Sequence, residues 1–96
     1  MNITKTVNGT DVIVNISGRL DTATAPQLQE FMAENMAKAS TLTLDCTELA
    51  YVSSAGLRVL LAVQKRMKEA FKLKNVCELV MEVFEMTGFV DILTIE

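Results

Sequence analysis

The chain has 96 residues, half of them apolar, and a formal net charge of −3 at pH 7. This is enough apolar material for one domain spanning 1–96, and the mild acidity argues against a nucleic-acid binder, which usually carries a strongly basic patch. With no histidine and no tryptophan, it lacks the commonest metal ligand, the usual general base and the best base-stacking ring.

Residues 3–7 and 11–17 alternate in polarity and flank Asn8-Gly9, a strong hairpin signal because both residues tolerate positive φ. The start of the chain shows no signal-peptide stretch, and no apolar run approaches the ~20 residues of a membrane span. The expectation is a cytoplasmic chain without membrane insertion. Gly18-Arg19-Leu20-Asp21 leads out of the second strand. Thr24-Ala25-Pro26-Gln27 has the pattern of a helix start, with Thr24 as N-cap, Gln27 completing a capping box and Pro26 in the first turn. Leu28, Phe31, Met32, Met36 and Ala39 recur at helical spacing, which predicts a helix to about Lys38.

Residues 41–46 form a predicted strand, and Leu49-Ala50-Tyr51-Val52 leads to Ser53-Ser54-Ala55-Gly56. Leu57, Leu60, Leu61, Val63, Gln64 and Met67 make a broad stripe on a second helix, with Arg58, Lys65 and Glu69 on another face. Residues 71–76 alternate as a strand that follows this helix without a glycine turn. Residues 78–87 predict a third helix with Leu79, Val80, Val83 and Phe84 inward, ended by a left-handed Gly88. Residues 92–95 close the chain as a last strand. The order β-β-α-β-α-β-α-β gives an α/β fold: a mostly parallel mixed sheet of about five strands, an N-terminal hairpin and three main helices.

Catalysis finds little support. Val52 stands where a nucleophile elbow needs glycine, and no histidine takes a serine proton. A phosphate-cradling loop needs two glycines and a Lys-Ser/Thr pair, whereas Gly56 is alone and Lys65 lies over two turns away. Asp21 and Asp45 are candidates for one edge of a parallel sheet, where ligands bind, although turn caps are the simpler reading. No spacing specifies a metal or a cofactor. Cys46 and Cys77 form no CxxC, as expected of reduced, buried thiols.

The Ser53-Ser54 junction keeps three readings: a structural cap, an anion ligand or a phosphate acceptor. A helix start leaves N–H groups unpaired and positively polarised, which suits an anion. Gly56 weakens this helix by about 0.8–1.0 kcal/mol relative to alanine. A start built only for stability would avoid it, so the small residues suggest a close approach by a ligand or another backbone.

Leu44-Asp45-Cys46-Thr47, Tyr51-Val52-Ser53-Ser54-Ala55-Gly56-Leu57-Arg58, Gly18-Arg19-Leu20-Asp21 and the tail Val83-Phe84-Glu85-Met86-Thr87-Gly88-Phe89 together resemble the STAS domains of bacterial anti-sigma factor antagonists. The resemblance covers essentially the whole chain. It implies a protein without catalytic activity that binds an anti-sigma factor/serine kinase and so releases a sigma factor. Phosphorylation of one serine ends the interaction, and a PP2C-type phosphatase reverses it. Aligned on Gly56-Leu57, that serine is Ser54, with Ser53 a lesser candidate where the family often has aspartate. The implied partner surface is Asp21, Thr22, Ser53, Ser54, Gly56, Leu57 and Arg58. The alternatives are a STAS subunit of a transport-associated complex and a module sensing a small anion or nucleotide.

Overall fold

A computed structural model describes all 96 residues. Strands β1 (Asn2–Asn8) and β2 (Asp11–Leu20) form the opening hairpin. Asn8 pairs with Asp11, so the loop is Gly9-Thr10, one residue later than the Asn8-Gly9 signal placed it. Only Gly9 has positive φ there (66°), the type II′ pattern, which asks for glycine at the first loop position alone.

From β2 the chain crosses through α1 (Ala25–Met36) to β3 (Thr41–Val52), then through α2 (Ser54–Met67) to β4 (Phe71–Lys74). The sheet order is β1-β2-β3-β4, with β1 antiparallel to β2 and the other neighbours parallel. A third helix, α3 (Glu78–Thr87), follows, and Gly88 closes it in the left-handed conformation (φ 79°) as predicted.

One face of the sheet carries Val12, Val14 and Ile16 of β2, Leu42, Leu44 and Cys46 of β3, and Phe71 and Leu73 of β4, all buried. They share a single core with Leu28 and Met32 of α1, Leu60 and Val63 of α2, and Val80 and Phe84 of α3. The opposite face carries Ile13, Asn15, Thr43, Asp45 and Lys72, half-buried or exposed. A parallel sheet covered on both faces has near-continuous apolar strands. These strands alternate, and the result is two layers with one polar sheet face open to water.

Strand β3 runs twelve residues, twice the length the alternation predicts. The reason is two bulges. Asn15–Asp45 is followed by Ser17–Glu48, and Gly18–Leu49 by Arg19–Tyr51, so β3 spends one extra residue each time. Its buried positions are therefore Leu42, Leu44, Cys46, Leu49 and Val52. The period of two becomes three at each bulge, which disguises the second half of the strand.

Three further differences have local causes. β4 stops at Lys74, not Val76, because Asn75 turns left-handed (φ 57°). Leu79 is 58% exposed, because α3 buries only the narrow stripe of Val80 and Phe84. No fifth strand forms: residues 89–91 make a 3-10 turn, Ile92 is half exposed, and Ile95 makes one parallel bridge to Leu73.

Gln64 holds this tail. The residue is buried on α2; its Oε1 accepts the Thr94 N–H at 3.1 Å, and its Nε2 donates to the Lys68 carbonyl at 2.6 Å. Lys68 has φ 54°, so a lysine makes the reversal where a glycine turn is missing, and Gln64 braces it. Gln64→Leu keeps the volume and strands both backbone partners. It should cost about 1–3 kcal/mol in urea unfolding and accelerate amide exchange at Thr94.

Candidate functional site

The last register pair of β2 and β3 is Leu20–Val52, and one step on the Ser53 N–H donates to the Leu20 carbonyl at 2.8 Å. Sheet pairing therefore delivers the chain directly to the start of α2. Ser53 is extended (φ −102°, ψ 176°), and its Oγ accepts the Gly56 N–H at 3.5 Å. It is the N-cap, relieving one of the unpaired first-turn donors. Ser54 is the first helical residue and is exposed. The two hydroxyls thus differ in occupation: Ser53 is half-buried and engaged, Ser54 is free to solvent.

Gly56 is buried, and what approaches it belongs to the chain itself. A Cβ there would lie 2.6 Å from Leu20 Cγ, 2.9 Å from Leu20 Cδ2 and 3.0 Å from the Leu20 carbonyl oxygen. The small residue admits the end of β2, so of the two expected occupants, a ligand or another backbone, it is the chain's own backbone and side chain at Leu20 that come close. Leu57 is only 5% exposed and packs in the core. Both are therefore removed from the expected contact surface; they seat the helix from beneath. Arg58 is exposed.

The segment after β2 approaches from the other side. Asp21 Oδ1 accepts the Ala23 N–H at 3.0 Å and the Thr24 N–H at 3.1 Å. Thr24 Oγ1 accepts the Asp21 N–H at 2.9 Å and donates to the Arg19 carbonyl at 2.7 Å. This reciprocal pair replaces the predicted capping box. Thr24 is the N-cap residue, yet its side chain makes no cap hydrogen bond, and the Gln27 amide reaches the Met1 carbonyl at 3.4 Å instead. Pro26 does lie in the first turn of α1. The Thr24 amide, with further donors and the nearby Arg19, holds the Asp21 carboxyl below its usual range. The Arg19 guanidinium lies 3.8 Å from Asp21 Oδ2 and 4.1 Å over the Tyr51 ring centre. Arg19 and Tyr51 are register partners, and the bulge that pairs them hid this contact from the sequence.

Asp45 is not on the same edge as Asp21. It pairs with Asn15 within the sheet and accepts from the Thr47 hydroxyl (2.6 Å), the Thr47 N–H (3.0 Å) and Asn75 Nδ2 (3.2 Å). The Thr47 hydroxyl foremost keeps its carboxyl low. Asp45 anchors the first bulge of β3 and, through Asn75, the chain leaving β4. Both cysteines are free thiols; Cys46 is buried, which pushes it up to about 12, and Cys77 is half-buried. No group of three His, Cys, Asp or Glu side chains is placed to hold a metal ion, and no helix is long and apolar enough to cross a membrane.

Between the first turns of α1 and α2 lies a cleft of about 280 Å³, with Thr22, Pro26 and Gln29 on one side and Ala55, Arg58 and Val59 on the other. Arg58 is the only charged residue lining it. Pro26, Gln29 and Val59 were not among the predicted site residues, because nothing in a linear pattern says that two helix starts converge. Thr22 and Arg58 line the cleft and are exposed; Ser54 (exposed) directly precedes Ala55 of its lining, Asp21 (half-buried) directly precedes Thr22, and Ser53 is half-buried.

Residues 3–94 match the family model described as "Mlab, STAS domain", and the chain belongs to the STAS-domain family. It is 31% identical over 98 residues to the anti-sigma-B factor antagonist of Bacillus subtilis (strain 168), covering 99% of this chain and 90% of that one. In fold it resembles the crystal structure of an anti-sigma factor antagonist from Mycobacterium paratuberculosis, with a TM-score of 0.87 and 20% identity, covering 98% of this chain and 83% of that one. The phosphorylated form of the Bacillus cell fate determinant SpoIIAA shares the fold too, with a TM-score of 0.73 and 16% identity over 99% of this chain and 91% of that one.

Two measurements check this geometry. Gly56→Ala gains helix propensity but drives a methyl into Leu20, so the net result should be a loss of about 1–2 kcal/mol. Leu20→Ala in the same chain should recover part of that increment, measured against Leu20→Ala alone. Asp21 and Asp45 both have lowered folded pKa values, so their contribution is present above the unfolded carboxyl range near ~4 and disappears as pH falls through the folded values. The urea midpoint should therefore fall below about pH 4, and fall less steeply in Asp45→Asn.

Proposed function

We propose that this chain is an anti-sigma factor antagonist that acts by partner switching, with Ser54 as the switch. The unmodified form binds an anti-sigma factor that is also a serine kinase, and a sigma factor is thereby released. Phosphate on Ser54 ends the association, and a PP2C-type phosphatase restores the binding form. The chain supplies a surface and an acceptor hydroxyl, and no catalysis. It works in the cytoplasm, without a cofactor and without touching nucleic acid or membrane.

The observation that carries this reading is the division of labour between the two serines. A kinase needs a hydroxyl that can leave the protein surface and enter its own active site. Ser54 is exposed at the first position of α2, whereas Ser53 already caps the helix. The proposed contact surface is Ser54 with Asp21, Thr22, Ser53 and Arg58. Gly56 and Leu57 act indirectly, by fixing how far the helix start stands from the sheet.

Phosphorylation adds about −1.5 to −2 charges at one point. A helix N-terminus tolerates that charge, so the fold need not change. A partner fitted to small neutral side chains would instead meet a bulky dianion, and mismatched charge across an interface costs several kcal/mol. Incubation with cell lysate and ATP should place phosphate on Ser54, read by peptide mass spectrometry; no phosphate under any condition would favour a transport-associated role. Ser54→Asp should lower affinity for the purified anti-sigma factor at least about 10-fold and leave the melting temperature close to wild type. Undiminished binding by Ser54→Asp would refute the assignment.

A further inference from the structure

Arg58 is the exposed charge of α2 nearest in the chain to Ser54. It lies four residues after Ser54, and side chains at that spacing share a helix face with Cβ atoms about 5–6 Å apart. An anion followed by a cation four residues later is the favoured order along a helix, and guanidinium can grip phosphate through two parallel N–H bonds. The guanidinium is uncommitted: the only ion pairs are Arg19–Asp21 and Lys72–Glu96. The first turn of α2 holds no acid, and the other residues lining the cleft beside Arg58 are uncharged. Asp21, the acid of the neighbouring loop, is engaged by the Ala23 and Thr24 amides and by Arg19. The remaining basic residues of α2, Lys65 and Arg66, belong to its last turn. Between Ser54 and Arg58 the first turn offers only Ala55, the buried Gly56 and the inward Leu57.

We infer that Arg58 is the in-chain counter-ion of a phosphate on Ser54, so that phosphorylation closes a latch across the first turn of α2 and draws the guanidinium out of the cleft. The inference rests on Ser54 being the phosphorylated residue. It adds a second change to the switch. The modified surface gains a dianion and also loses the single cation that lined the cleft. A partner carboxylate fitted to that cation would lose its mate in the same event.

The test installs phosphoserine at position 54 during translation, so that no kinase is needed. The second ionisation of the phosphate is then followed by ³¹P NMR in wild type, Arg58→Ala and Arg58→Lys. Arg58 is exposed, so Arg58→Ala should melt with the wild type when unphosphorylated. The phosphate pKa should lie about 0.3 unit lower in wild type than in Arg58→Ala, with Arg58→Lys between them, and the difference should shrink in 1 M salt. Equal phosphate pKa values in all three proteins would overturn the latch. Because the phosphate is installed directly, failure of lysate to phosphorylate Ser54 would count against the partner-switching role alone and leave this measurement standing.

Discussion

The start of α2 is pressed against the end of β2 so closely that only glycine fits between them. Leu20 supplies both sides of that contact: its side chain occupies the space a Cβ on Gly56 would take, and its carbonyl accepts the Ser53 amide. Everything at the candidate site follows from this seat. It fixes where the cap forms, which serine is left outside, and how near Arg58 comes to the first turn of α1. The helix propensity lost at Gly56 is the local cost of a position that packing requires.

Polar chemistry is layered over that seat. The loop after β2 satisfies its own backbone through the reciprocal Asp21–Thr24 bonds, and Arg19 ties the loop to Tyr51 on the neighbouring strand. The loop is thus braced without using Ser54, Thr22 or Arg58, which remain available to an outside molecule. The frame of the site is braced by its own hydrogen bonds while Ser54, Thr22 and Arg58 stay exposed, an arrangement that suits the proposed switch. A helix N-terminus accepts a new negative charge without resisting it, so the proposed phosphorylation of Ser54 would act on the surface while the core stays as it was.

Much of this was legible in the residues. Helices α2 and α3 were visible in their apolar periodicity and in Gly88, and the hairpin in its glycine. Spacing alone left three readings of the serine junction, and the family motifs are what point to Ser54 as the proposed acceptor. What escaped the sequence was set by pairings that the local pattern does not show. The second half of β3 was hidden because two bulges broke the alternation that marks a strand. Gly56 was legible as small, but its reason lay in Leu20, 36 residues earlier. Leu57 was read both in the apolar stripe of α2 and, from the family signature, on the partner surface, and its burial agrees with the stripe. Gln64 sat within an apolar stripe as if hydrophobic, and the backbone groups it serves belong to a reversal and a tail that no local pattern connects. The capping box at Thr24 failed because Asp21, three residues upstream, takes the Thr24 N–H and its own N–H occupies Thr24 Oγ1.

The bulged strand has one more consequence, for the way such a chain can change over generations. Between its paired ends β3 carries two more residues than β2, and each surplus residue resets which side chains face inward. Losing the first of them would turn Leu49 and Val52 toward water and swing the following serines away from Leu20, although every other residue was retained. Replacements along this strand can therefore be gradual, while changes of length must come in compensating pairs. The length of the chain ahead of α2 is thus as much a part of the site as the side chains it delivers there.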